Sequence, residues 1–100
     1  MASVPTPSNN SILRNSITNN TVGIALAYSY NNNISGNSVR NNTFAGVELE
    51  GTNNAISEND ITNNTVGILL WASSNNMVSG NEVKANEVGI YLCAFCNCNS

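Results

Sequence analysis

NNISGNSVRNNTFAGVELEGTNN, Asn32 to Asn54, is one turn of a repeat that the rest of the chain largely copies. Ile12, Ile34, Ile56 and Val78 fall on one column, 22 residues apart each time. Ile17, Val39, Ile61 and Val83 fall on another. Three asparagine columns share the spacing: Asn10/Asn32/Asn54/Asn76, Asn15/Asn37/Asn59/Asn81 and Asn20/Asn42/Asn64/Asn86. Gly23, Gly46, Gly67 and Gly89 head a further column, each followed by a branched aliphatic and then a leucine (Ile24/Leu26, Val47/Leu49, Ile68/Leu70, Ile90/Leu92). A fixed period of this length decides the fold before local propensity does.

Within each copy, apolar residues alternate with polar ones over short pieces broken by Asn, Gly or Ser. That is strand periodicity rather than the 3.6-residue spacing of a helix. Three short pieces per copy do not make hairpins, because identical columns are placed to stack on themselves. Stacked coils give parallel strands about 4.8 Å apart, with the aliphatic columns pointing inward as a dry core. The asparagine columns fall at the bends, where Asn tolerates left-handed backbone. An asparagine amide can donate to, and accept from, its copy one coil away. The expected fold is all-β: a right-handed parallel β-helix of about four rungs of 22 residues, three short strands each. Residues 1–8 form an irregular lead-in and residues 9–100 the solenoid.

Composition excludes several function classes. The 100 residues carry a net charge of −3, with Arg14, Arg40 and Lys84 as the only cations. No basic face exists to hold a phosphate backbone, so nucleic acid is not an expected partner. No apolar run is long enough to span a membrane, and MASVPTPS (Met1–Ser8) has neither part of a signal peptide. Histidine is absent, which removes the commonest general base and metal ligand. Asn-x-Ser/Thr sequons at Asn9, Asn19, Asn33, Asn41 and Asn63 arise from the repeat itself.

These motifs resemble the parallel β-helix repeats of the pectin-lyase-like superfamily, nearest to the NosD-like group, also called carbohydrate-binding and sugar-hydrolase repeats. The resemblance runs from about Asn9 to Cys98. It implies that G-(I/V)-x-L forms the first strand of a coil, N-N-x-(I/V) the second and N-x-(I/V) the third. Relatives that are enzymes hold sugar polymers along the outer face of the first strand, which here carries Ala25 and Ala27, Glu48 and Glu50, Leu69 and Trp71, Tyr91 and Cys93. The NosD-like group is associated with copper handling, but no Met/His cluster matches such a site, so no metal or cofactor is expected.

On that outer face Glu48 and Glu50 should project together, roughly 7 Å apart by strand rise, a separation that would suit an inverting glycosidase. Trp71 should lie one rung from Glu50. No calcium-type Asp cluster and no basic residue accompanies them, so catalysis is not expected. Weak glycan contact through Glu48, Glu50, Trp71 and Tyr91 is the carbohydrate reading; solvated acids beside an apolar assembly patch (Leu69, Trp71, Tyr91) is the structural one. Cys93, Cys96 and Cys98 form C-x-x-C-x-C: one disulfide plus a free thiol, a cross-link to another chain, plain thiols or, lacking a fourth ligand, an incomplete metal set.

The second coil departs from the pattern by one inserted residue near Ala45, expected to bulge the bend before the first strand, and by one deleted after Leu49. Neither end of the repeat carries a cap, which suggests either a piece of a longer solenoid or a unit that stacks end to end. The functional expectation is a non-catalytic extracellular or cell-surface scaffold that self-associates through its ends. The alternative is a carbohydrate-binding or carbohydrate-active piece of a larger protein, with polysaccharide as partner.

Overall fold

The computed structural model describes residues 8–93. They form twelve strands and no helix. The first coil holds β1 (Ser11–Leu13), β2 (Ser16–Thr18) and β3 (Val22–Tyr30). The second holds β4 (Asn33–Ser35), β5 (Ser38–Arg40) and β6 (Ala45–Thr52). The third holds β7 (Ala55–Ser57), β8 (Asp60–Thr62) and β9 (Val66–Ser74), and the last β10 (Met77–Ser79), β11 (Glu82–Lys84) and β12 (Val88–Cys93). Three parallel sheets result, ordered β1-β4-β7-β10, β2-β5-β8-β11 and β3-β6-β9-β12. The chain is a β-solenoid of about four turns. Its register follows the sequence columns: Ile12 pairs with Ile34, Ile34 with Ile56 and Ile56 with Val78.

Inward columns make the core. Ile34, Val39, Val47, Leu49, Ile56, Ile61 and Ile68 are fully buried, each covered by a rung above and a rung below. Ile12, Ile17 and Leu26 in the first coil, and Val78 and Val83 in the last, pack on this cluster from its ends and are only partly buried. Burying one such side chain stabilises by about 1.5–3 kcal/mol, so the two middle coils carry most of the hydrophobic stabilisation.

The asparagine columns are built more fully than amide-to-amide stacking alone. Asn59 shows the unit. Its Oδ1 accepts from the Asn37 backbone N–H and from Asn37 Nδ2, both at 2.9 Å. Its Nδ2 donates to the Ile34 carbonyl at 3.0 Å and to Asn81 Oδ1 at 2.9 Å. The same double acceptance repeats at Asn54, Asn64 and Asn76. Among the described residues no buried side-chain polar atom lacks a partner. The ladder therefore closes the orphan N–H at each corner of the first three coils, which buried backbone requires.

The bends differ from expectation in one respect. The left-handed residue is not the ladder asparagine but the residue before it: Asn9, Asn31, Asn53 and Asn75 at one corner, and Arg14, Gly36, Glu58 and Gly80 at the next. At the third it is Asn19, Asn41, Asn63 and Ala85. The repeated Asn-Asn pair thus divides two jobs, the first turning the chain and the second bonding the turn.

The inserted residue of the second coil also sits differently. Ala45 pairs with Val22 and with Val66 and is fully buried, so it belongs to their column. Phe44 is the extra residue, 40% exposed at the surface. The Phe44 and Ala45 N–H groups both donate to the Thr21 carbonyl, which absorbs the insertion within the bend. The strand stays in register. The bulges lie further on, between Leu26 and Ser29 and between Glu50 and Thr52. There Tyr28 and Ala72 take positive φ in the first and third coils, and the second coil, one residue shorter, passes through Gly51.

Candidate functional site

The β3-β6-β9-β12 sheet holds the longest strands, so its outer face is the largest regular surface of the solenoid. Register places Ala25, Glu48, Leu69 and Tyr91 in one outward column and Glu50, Trp71 and Cys93 in another. A groove of about 350 Å³ opens on this face, lined by Ala25, Leu26, Ala27, Glu48, Glu50 and Trp71. Its floor exists because the first coil supplies two alanines where the next two coils supply acids, a leucine and an indole. Glu48 and Glu50, two residues apart on β6, leave the strand on the same side.

Glu50 and Trp71 are register neighbours, as the repeat requires. The indole, however, engages the diagonal acid: Trp71 Nε1 donates to Glu48 Oε2 at 2.9 Å. Sequence could give the columns but not this choice, which depends on side-chain torsions. The bond ties Glu48 to the wall of the groove and leaves an apolar ring beside a pair of carboxylates.

Leu69 does not belong to an open apolar patch. It is 4% exposed and packs with Ala45 and Val66, while Val22, Trp71 and Tyr91 close over the group. This small second cluster lies on the opposite side of the sheet from the main core. It fixes the base of Trp71 and brings Tyr91 beside it, though Tyr91 does not line the groove. Exposed apolar side chains occur elsewhere, at the bulge (Tyr28), the insertion (Phe44) and the last coil (Met77, Val88, Ile90, Leu92).

The β2-β5-β8-β11 face carries a small charge network. Arg40 pairs with Asp60, and Lys84 with Glu82 on its own strand at 2.5 Å. The Thr62 hydroxyl donates to Asp60 at 2.5 Å. That bond, with Arg40 beside it, holds the Asp60 carboxyl below its usual range, and the Glu82 carboxylate raises the Lys84 ammonium. Both pairs are solvent-exposed, so solvent screening leaves them little weight in stability.

Cys93 is disulfide-bonded; Cys96 and Cys98 lie outside the described residues. Among the described residues no group of three His, Cys, Asp or Glu side chains is placed to hold a metal ion. No helix among them is long and apolar enough to cross a membrane.

The family model described as "Periplasmic copper-binding protein (NosD)" matches residues 3–100. No curated protein and no solved structure matches the chain. Copper in the family's description can be tested against the donors present. Copper sites use imidazole, thiolate or thioether ligands. This chain has no histidine and only Met1 and Met77 as thioethers; Met77 stands alone on exposed β10 and Cys93 is already bonded. The described residues do not fit a copper site.

Proposed function

This chain belongs to the NosD family, and from that premise we propose that it works as a non-catalytic β-solenoid scaffold outside the cytoplasm, associating with itself through the ends of the coil. One observation carries the reading. In the middle coils the members of these columns (Ala45, Val47, Leu49, Val66, Ile68 and Leu70) are at most 8% exposed, yet in the last coil Val88, Ile90 and Leu92 are 38%, 48% and 72% exposed. Among the described residues, strands β10, β11 and β12 each form one edge of their sheet, so apolar surface and a sheet edge occur together. Such an edge is a template for a further strand. Sedimentation velocity over a wide concentration range, with negative-stain microscopy, tests this. Concentration-dependent oligomers or filaments are expected; a strict monomer at every concentration refutes self-association.

A second reading rests on the groove beside Trp71. An aromatic ring flanked by Glu48 and Glu50 has the make-up of a weak sugar platform, and Tyr91 extends the aromatic surface past Trp71. Titrating the chain with neutral oligosaccharides should then shift Trp71 emission. Absence of any response at millimolar sugar would dispose of it.

A further inference from the structure

The groove on the outer face of the β3-β6-β9-β12 sheet is chemically one-sided. Its lining side chains are Ala25, Leu26, Ala27, Glu48, Glu50 and Trp71. Only the Trp71 indole among them carries an N–H, and that donor is already given to Glu48 Oε2. Acceptors, by contrast, remain in hand. Glu48 keeps its second oxygen, and the Glu50 side chain has no hydrogen-bond partner among the described residues. The groove thus offers carboxylate oxygens, an aromatic ring and an apolar floor, with no donor left to give.

Charge follows the same pattern. Arg40 is paired with Asp60 and Lys84 with Glu82, all on the β2-β5-β8-β11 face. Arg14 lies at a corner, its Cγ 3.6 Å from where a Cβ of Gly36 would stand. None of these cations lines the groove. Glu48 and Glu50, half-buried and about 7 Å apart along the strand, are therefore carboxylates with no cation beside them among the described residues. The groove opens sideways across the outer faces of three coils, so a coil stacked at either end would border it without roofing it.

A ligand that fits supplies what the lining lacks: positive charge, N–H donors and a carbon surface. An anion is repelled. A divalent metal ion takes a fuller set of oxygen ligands than two carboxylates, and no metal-holding group occurs among the described residues. An alkylammonium has three donors and no acceptor, and its charge is attracted to an aromatic face as well as to carboxylates. We propose that the groove binds a protonated organic amine, its ammonium held by Glu48 and Glu50 beside the Trp71 ring and its carbon body on Ala25, Leu26 and Ala27. The inference shares its place with the sugar reading above and rests on that reading for the groove alone, not for a neutral sugar.

The test is a titration of the full chain with n-butylammonium chloride at neutral pH, read on Trp71, the single tryptophan. n-Butanol matches the carbon body without the charge, and sodium and calcium chloride match the ionic strength. Butylammonium should shift Trp71 emission saturably at millimolar concentration, binding at least about tenfold more tightly than n-butanol. Glu50→Gln, which leaves the bond from Trp71 to Glu48 in place, should weaken binding about threefold or more. Ala27→Lys puts an ammonium of the chain's own in the groove and should abolish the response. Both substitutions change outward side chains and should keep the wild-type far-ultraviolet dichroism. Glucosamine separates the sources of such an amine: binding tighter than butylammonium identifies an amino sugar, and equal or weaker binding an amine on a plain carbon chain. Equal responses to butylammonium and n-butanol, the same shift from either salt, or undiminished binding in either variant overturns the proposal. Neutral oligosaccharides that shift the emission where butylammonium does not would overturn it and leave the sugar reading standing; the reverse result removes the sugar reading alone.

Discussion

The asparagine ladder makes a sharp prediction about position, because one residue type does different amounts of bonding at different heights of the coil. In Asn59→Ala the buried Asn37 N–H loses its only acceptor of the ladder, and the Ile34 carbonyl loses the Nδ2 that reached it. Asn37 Nδ2 keeps its bond to the Ile12 carbonyl, and Asn81 Oδ1 keeps the Asn59 backbone N–H. The Asn37 N–H is thus stranded, at about 1–3 kcal/mol, while the Ile34 carbonyl, still in the β4–β7 ladder, loses one bond worth about 0.5–1.5 kcal/mol. In Asn15→Ala only the amide bond to Asn37 Oδ1 disappears, since the Asn15 backbone N–H still reaches that oxygen. Its cost is about 0.5–1.5 kcal/mol. Total stability for a chain of this size is on the order of 5–15 kcal/mol, so the first substitution removes a large fraction and the second a small one. Urea unfolding followed by Trp71 emission, at a concentration where the wild type is monomeric, measures both. Equal shifts in midpoint, or a shift below about 1 kcal/mol for Asn59→Ala, would refute the view that the ladder works by satisfying buried backbone.

Other outcomes follow from single contacts. Gly51→Ala should leave the chain largely unfolded at 25 °C, because its Cβ would stand 1.9 Å from the Ser29 carbonyl oxygen; a native-like dichroism spectrum would contradict this. Asp60 has a folded-state pKa lowered by Thr62 and Arg40, so its contribution is present above the usual carboxylate range and is lost as pH falls through the lowered value. Asp60→Asn should therefore cost a few tenths of a kcal/mol at neutral pH and nothing once both states are protonated; urea midpoints at several acidic pH values check the sign. Glu48→Ala frees the indole N–H of Trp71 and should shift its emission to the red, whereas Glu48→Gln keeps an acceptor oxygen and should shift it little; identical spectra for the two would mean that the bond at 2.9 Å does not hold the ring.

The solenoid was legible because every inward residue has a copy 22 residues away, and that period survives any uncertainty about strand ends. The register, three strands per turn and the ladder columns all come from it. Three features were not legible, each for a local reason. In Asn-Asn pairs either residue can turn the chain, so the left-handed residue was assigned one place late; Arg14, Gly36, Glu58 and Gly80, before ladder asparagines at the second corner, were the available clue. The slip in the repeat puts the inserted residue near Ala45 without saying which residue it is; the buried column next to Val22 and Val66 takes the alanine and expels Phe44. The link from Trp71 to Glu48 rather than Glu50 is a rotamer choice, which a period of 22 does not encode. The groove's residues were visible as departures from the repeat; the alanines that make it a groove were visible only as small residues.

A solenoid confines function to its irregular positions, and the reason is mechanical. An inward aliphatic or a ladder asparagine is held by identical neighbours above and below, so it can serve no ligand without breaking two rungs. Stability in such a stack is a sum over rungs and the interfaces between them, and the end coils have one interface where middle coils have two. In this chain the difference is visible along one column: Leu49 is fully buried, Leu70 is 7% exposed and Leu92 is 72% exposed. Covering Leu92 with another Leu26 would add the same kind of interface that already joins the middle coils. Association and folding would then draw on one set of contacts, so a partner at this end would stabilise the coil it binds. Copper has no comparable foothold among the described residues, where donors are amides and scattered carboxylates. Among the described residues, the end coils, the groove at Trp71 and the irregular positions Tyr28 and Phe44 are where the architecture leaves side chains uncommitted.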